Sequence, residues 1–428
     1  MTLAPSVSAH PAFAGWRVCS AGVATQAIAI GFTLGAVGLF AAPLAEELGA
    51  TATQFNLGIS LFMLVMNGSM PIIGALLDRG SIRAVMLAGA FVLSVSLAML
   101  SRATELWQVG LLFGGGCALG MAMLGPMASS TAMANWFGRL RGRALGIANA
   151  GGPLGPALIV PVAAYTIGEF GWRTTMLGFA AVTLLVALPT IWIGMIDRPS
   201  DVGQYPDGEK PAEVAGESAV DALEADLWEP AGIVRSPDFW FVALGVAPFA
   251  AAGLVMGANA IPYMMFLGAS TESASWVVVL QSIGAVAGPL VFGSLADKIH
   301  PRRIYLGLIA TLALALGVLT FEPGYAIALV VFSVMGLVGG SMMPVYGALI
   351  GRLFGAESFG QVIGLGALVG LPMLFIGPLG FGYAFDVTGS YSSGLLGLIG
   401  ALVLGAGLLA LLPTGLARRS SNEVVAAT

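Results

Sequence analysis

The chain has 428 residues, of which 57% are hydrophobic and 9% charged, and its mean hydropathy is +0.93. A soluble domain carries about 25% charged residues, and a water-soluble fold of this size cannot hide so much apolar surface, so a soluble enzyme, a secreted disulfide scaffold and a nucleic-acid binder are excluded in favour of an integral membrane protein. The net charge of −5 is local: residues 197–238 hold eleven acids against three bases, a net of −8 that leaves +3 elsewhere.

The first fifteen residues lack a basic stretch followed by a short apolar core, so no cleaved signal peptide is expected. Runs long enough to cross a bilayer, about 20 residues each, fall at 17–44, 54–77, 84–101, 106–133, 142–166, 172–195, 239–267, 273–295, 304–321, 325–350, 358–384 and 391–413. The polar, Pro- and Gly-containing stretch 197–238 separates six runs from six and reads as a flexible linker with one short helix. With the N-terminus inside, fifteen of the 17 Lys and Arg lie on the inner side and only Arg102 and Arg173 outside. That asymmetry predicts cytoplasmic termini. Cys19 and Cys117 sit in apolar runs, and His10 and His300 lie apart, so neither a disulfide framework nor a metal centre is expected, and no cofactor.

The halves repeat. Gly74-Ala-Leu-Leu-Asp78-Arg79 answers Gly293-Ser-Leu-Ala-Asp297-Lys298 at an offset of 219, Pro126 answers Pro344 at 218, and Trp136-Phe137-Gly138 answers Leu353-Phe354-Gly355 at 217. Matches in order at nearly one offset predict a duplicated unit. The expected fold is an all-α membrane protein with twelve transmembrane helices, arranged as two six-helix bundles related by pseudo-two-fold symmetry. Its parts are an N-terminal bundle (1–196), a cytoplasmic acidic linker (197–238), and a C-terminal bundle and tail (239–428).

These residues resemble the major facilitator superfamily. The loop Gly74-xxx-Asp78-Arg79-Gly80-Ser81-Ile82-Arg83 is similar to the family's signature between helices 2 and 3, and Gly293-xxx-Asp297-Lys298 through Pro301-Arg302-Arg303 sits where the family repeats it. Trp136-Phe137 with Arg139 and Arg141-Gly142-Arg143, Gly171-Trp172-Arg173, Arg198-Pro199-Ser200-Asp201 and Arg235-Ser236-Pro237-Asp238 resemble the bacterial monocarboxylate-transporter-like branch, near the oxalate/formate antiporters. The resemblance implies a bacterial inner-membrane transporter that works by alternating access as a monomer. Its partners would be the lipid bilayer, a small-molecule substrate and a proton or counter-substrate, with no nucleic acid. It also implies a latch holding the two bundles together at the cytoplasmic side in the outward-facing state, built from Asp78, Arg79, Arg83, Arg139, Arg143, Asp297, Lys298 and Arg302.

No charged residue falls at the middle of a span, although intramembrane charges usually mark proton relays or ion sites. Related carriers have a basic residue in helix 8 or 11, whereas here helix 8 reads Trp276-Val-Val-Val-Leu-Gln281-Ser-Ile-Gly-Ala, with none. A dicarboxylate would meet desolvation without a counter-charge, and without a mid-membrane carboxylate exchange or facilitated diffusion is favoured over tight proton symport. Buried amides and phenols must find partners, and Gln26, Asn149, Asn259, Tyr263, Gln281 and Tyr346 are the expected hydrogen-bonding residues for a polar head group. The predicted substrate is a small organic acid or related amphipathic metabolite. The methionines of helix 4 and the missing charges keep an efflux pump for hydrophobic compounds as the alternative. No catalytic residue is expected.

Overall fold

A computed structural model describes residues 13–208, 230–296, 299–355 and 359–412. Among these residues there is no β-strand, and eleven helical segments are long and apolar enough to cross a membrane. One of them, Arg141–Gly194, has 54 residues, about 80 Å at 1.5 Å per residue. That is more than twice a hydrocarbon core of about 30 Å. It breaks at Gly171, with φ 78° and ψ 161°, a backbone conformation essentially confined to glycine. Counting its two legs gives twelve crossings, at nearly the positions the hydropathy predicts. They are α1 Gly15–Leu48, α2 Ala52–Arg79, α3 Ile82–Leu100, α4 Leu106–Trp136, α5 and α6 before and after Gly171 in Arg141–Gly194, α7 Pro237–Phe266, α8 Thr271–Phe292, α9 Pro301–Leu319, α10 Tyr325–Phe354, α11 Gly360–Thr388 and α12 Ser392–Ala410.

Local chemistry sets several helix starts. Thr51 and Gln54 form a reciprocal cap at α2, Thr51 Oγ1 accepting from the Gln54 N–H at 3.2 Å and Gln54 Oε1 from the Thr51 N–H at 3.0 Å. Ser81 caps α3 through the Ala84 N–H at 3.1 Å, and Pro237 and Pro301 occupy the first turns of α7 and α9, where no N–H is needed. Because the helices alternate in direction, one end of the molecule gathers Arg79, Arg83, Arg139, Arg143 and Arg302 (the basic end). The other gathers Glu46, Glu47, Glu169, Glu272, Glu322 and Asp386 (the acidic end).

The start of the acidic stretch is folded onto the N-terminal half. The Arg83 backbone N–H donates to the Asp197 carboxylate at 2.7 Å, Trp136 Nε1 donates to the Ile196 carbonyl at 2.8 Å, and the Ala14 N–H donates to Gln204 Oε1 at 2.9 Å. Asp207 accepts from the N–H groups of Gly138, Arg139 and Leu140 at 3.0, 2.7 and 3.3 Å. The rest of the expected linker through residue 229 lies outside the described residues, and Pro230–Arg235 forms a short helix.

Helices pack closely where glycine replaces side-chain bulk. A Cβ on Gly336 would lie 2.0 Å from the Gln281 carbonyl oxygen and one on Gly340 2.2 Å from that of Ala285, so α8 and α10 meet backbone to backbone. Between the halves, α2 runs along α11 and α5 along α8, while the outer part of α1 touches α7.

Candidate functional site

A cavity of about 400 Å³ lies where α1, α5, α7, α8, α9 and α10 converge. Its wall is almost wholly apolar, with Ile30, Pro156, Phe249, Met335 and Met342 among its residues. Gln281 stands in this wall, and its side-chain amide has no hydrogen-bond partner among the described residues. The α8–α10 contact explains its placement, because Gly336 packs directly on the Gln281 backbone.

Three more of the expected residues sit one helical turn from this wall, toward the basic end. Gln26 precedes Ile30 by four residues, Asn149 precedes Pro153 by four, and Tyr346 follows Met342 by four. Gln26 Nε2 donates to Asn149 Oδ1 at 3.3 Å, which leaves the Asn149 amide N–H groups and the Gln26 carbonyl oxygen for other partners. Gln26 is buried and Asn149 exposed. Tyr346 is nearly buried, with its hydroxyl against Gly366, where an added Cβ would come within 2.8 Å of it.

The remaining two expected residues lie elsewhere. Tyr263 is fully buried, and its hydroxyl donates to the Leu319 carbonyl at 2.6 Å, tying α7 to the end of α9. Asn259 joins the halves: its amide donates to Asn56 Oδ1 at 2.9 Å and receives the Asn56 amide at 3.3 Å. Thr33, Asn67 and Ser341 are satisfied within their own helices, by the carbonyls of Ala29, Met63 and Leu337, whereas the buried hydroxyls of Ser129 and Tyr305 have no partner among the described residues.

Asn56 belongs to a seam at the acidic end that composition does not reveal. Asp386, at the end of α11, accepts from the Ala52 and Thr53 N–H groups at 2.9 and 2.8 Å and from the Thr53 hydroxyl. It completes the cap of α2 from the opposite half, placing a carboxylate at a helix N-terminus. Ser60 Oγ donates to the Phe375 carbonyl at 2.6 Å, and Val37, Ile59 and Ala258 form a small buried cluster between the halves. The hydrogen bonds that link the halves among the described residues cluster here, between the cavity and the acidic end.

At the basic end three of the expected latch residues, Arg83, Arg143 and Arg302, contact their own half. Arg83 Nε donates to the Met195 carbonyl at 2.8 Å and its guanidinium lies 5.7 Å from the Trp192 ring centre. Arg143 stacks over Trp16 at 5.8 Å, and Arg302 donates to the carbonyls of Ala410 and Leu412. Asp78 and Arg79 have no side-chain hydrogen-bond partner among the described residues, and Asp297 and Lys298 lie outside them. Desolvation pushes the Asp207 carboxyl up, but the three loop N–H donors and the charge of Arg139 together outweigh it and hold the group below its ordinary range. Burial, then the charges of Arg352, Arg302 and Arg303, lowers His300, whose Nδ1 accepts from the Arg302 N–H at 3.3 Å at the start of α9.

The chain is similar to known transporters over nearly its whole length. Monocarboxylate transporter 11 of Mus musculus is 27% identical over 396 residues, covering 89% of this chain and 83% of the relative. The aspyridones efflux protein of Emericella nidulans is 26% identical over 371 residues, covering 82% and 69%. Among solved structures, a bacterial homolog of the human lysosomal transporter Spinster, in an inward-facing and unoccupied conformation, superposes with a TM-score of 0.71 at 16% identity, over 94% of this chain and 97% of that one. The Major Facilitator Superfamily model matches residues 23–267 and again 249–426. With two six-helix halves meeting around a central cavity and that model matching both, the chain belongs to the Major Facilitator Superfamily of membrane transporters.

Proposed function

We propose that this protein moves a small organic acid, or a related amphipathic metabolite, across the bacterial inner membrane by alternating access. The observation that carries the reading is the uncharged cavity between the halves, with the unpartnered Gln281 amide in its wall and Gln26, Asn149 and Tyr346 one turn below. Amide and phenol donors suit a single carboxylate or carbonyl head, and the apolar remainder of the wall suits a short hydrocarbon body. No side chain there offers a full charge to a second carboxylate. Similarity to a monocarboxylate transporter supports the same substrate class. The gradient used is that of the substrate, a counter-substrate or a proton, with exchange or facilitated diffusion favoured.

In this proposal the two rigid units are residues 1–196 and 239–428, joined by 197–238 with both termini in the cytoplasm, and the monomer is the working form. The seam from Asp386 to Ser60 closes the acidic, outer end, so the cavity faces the cytoplasm. Asp78, Arg79, Arg83, Arg139, Arg143, Asp297, Lys298 and Arg302 serve as the latch of the opposite state. The contacts of Arg83, Arg143 and Arg302 within their own halves support that assignment, since a latch is disengaged when its own side is open. The apolar wall and the similarity to an efflux protein favour one second reading, export of hydrophobic compounds.

Thermal-shift measurements on the purified protein with short monocarboxylates, dicarboxylates, neutral metabolites and lipophilic cations separate these readings. We expect stabilisation by a monocarboxylate, lost in Gln281→Ala. Stabilisation by lipophilic cations alone would overturn the organic-acid reading and leave export.

A further inference from the structure

A second cavity, of about 560 Å³, lies wholly within the N-terminal half at the acidic end, walled by α1, α2 and α4 with Leu100 and Met176 behind. Phe32, Phe40, Leu61 and Phe113 set its character. Its polar lining is limited to Thr33, whose hydroxyl is spent on the Ala29 carbonyl, and Gln54, whose Oε1 is spent on the Thr51 N–H. Water held there would find too few partners. Two π-helical turns, Gly31–Gly35 in α1 and Leu112–Cys117 in α4, contribute to its wall. Such turns widen a helix locally and often mark functional sites.

The cavity opens past Trp107 and Leu111, which are 66% and 63% exposed although they lie in a membrane-spanning helix. In a bilayer this exposed face of α4 meets lipid, head groups near Trp107 and acyl chains from Leu111 inward. The internal repeat supplies a contrast. At the offset of 218 Trp107 corresponds to Tyr325, whose hydroxyl donates to the Ser273 carbonyl at 2.7 Å and pins the start of α10 to α8. Trp107 has no such bond, and its indole N–H is left at the level where tryptophan meets lipid head groups. From Gln54 to Val65 the α2 wall rises about 16 Å, the depth of one leaflet of a hydrocarbon core of about 30 Å.

We propose that this cavity is a binding site for one linear acyl chain, entering from the leaflet at the acidic end with its head group beside Trp107 and Gln54. The site is separate from the transport cavity and does not depend on the assignment of a substrate. Membrane lipid and a free single-chain amphiphile present the same chain, and the experiment distinguishes them.

The protein in liposomes is photolabelled with a phosphatidylcholine carrying a diazirine in one chain and, separately, with a diazirine fatty acid, and the adducts are mapped by mass spectrometry. We expect label in 54–65 and 106–115 several-fold above that in the repeat counterparts 272–283 and 324–333. Label from phosphatidylcholine identifies a membrane lipid, and label from the fatty acid alone identifies a free amphiphile. Both outcomes support the site. Gly110→Leu and Gly58→Leu fill the space, since a Cβ at either position meets its nearest neighbour at 4.0 Å. Each should remove the excess label while keeping the gel-filtration profile and melting temperature. Equal labelling of the two halves, or an excess unchanged in both filled variants, overturns the proposal.

Discussion

At the scale of single residues, two aspartates act through backbone N–H groups. Asp386 caps α2 from across the seam between halves. Replacing a capping side chain costs about 1 kcal/mol, or about fivefold in an equilibrium. Asp386→Ala should therefore shift the population toward opening at the acidic end by that order. A cysteine at Ser60, buried behind the seam, reports it in a background lacking Cys19 and Cys117: labelling by an impermeant maleimide should accelerate in Asp386→Ala. An unchanged rate would leave Asp386 only a local cap. Asp207 works at the basic end. Its folded-state pKa lies below the ordinary 3.8, so its hold on residues 138–140 is complete above that value and fades as pH falls through the lower one. Protection of the Gly138, Arg139 and Leu140 amides from hydrogen exchange, taken relative to the intrinsic rate at each pH, should be high at neutral pH and fall on acidification, whereas in Asp207→Ala it should be low throughout.

At the scale of elements, the hydrophobic runs locate every crossing, because length and apolarity are what a bilayer demands. The boundary between α5 and α6 is also legible in Gly171-Trp172-Arg173, and the structure supplies the cause in the positive φ of Gly171. Arg173 then pairs with Glu47 and donates to the Ala103 carbonyl at 3.0 Å, fastening the start of α6 to the ends of α1 and α3. Gly171→Ala should cost about 1–3 kcal/mol, visible as a lower melting temperature in detergent. Arg173→Ala, which leaves the backbone alone, should not reproduce the full loss. Less of the site is legible. In sequence, a polar residue at depth looks the same whether it meets a ligand or a neighbouring helix. Asn259 and Tyr263, four residues apart, share a helix face, yet one bonds Asn56 and the other Leu319. Gln281 differs from them only because α10 approaches through glycine and leaves its amide unclaimed.

At the scale of the whole molecule, the hydrogen bonds between halves among the described residues concentrate on one side of the central cavity, while Arg83, Arg143 and Arg302 on the other side contact their own halves. Rocking about the cavity must break the first set. An Asn56→Cys/Asn259→Cys variant, bridged by a short bis-methanethiosulfonate, should lose transport in liposomes and recover it on reduction. Retained flux in the bridged protein would mean that this seam never opens. The duplicated architecture was readable from the repeated Gly–Asp loop and its offset. The seam was not, because its donors at residues 52 and 53 are largely main-chain N–H groups, which every residue but proline supplies.

That same chemistry bears on how the protein can evolve. A contact between a carboxylate and two backbone amides places little demand on the side chain at position 52, so that position is free to drift while Asp386 is not. Gly382 is similarly bound, since a Cβ there would meet the Ala52 carbonyl at 2.4 Å. Among descendants of this chain, the outer closure should leave two fixed positions on α11 and, on α2, only the hydroxyl at position 53 as a correlated partner, a lock largely hidden from any search for compensating substitutions.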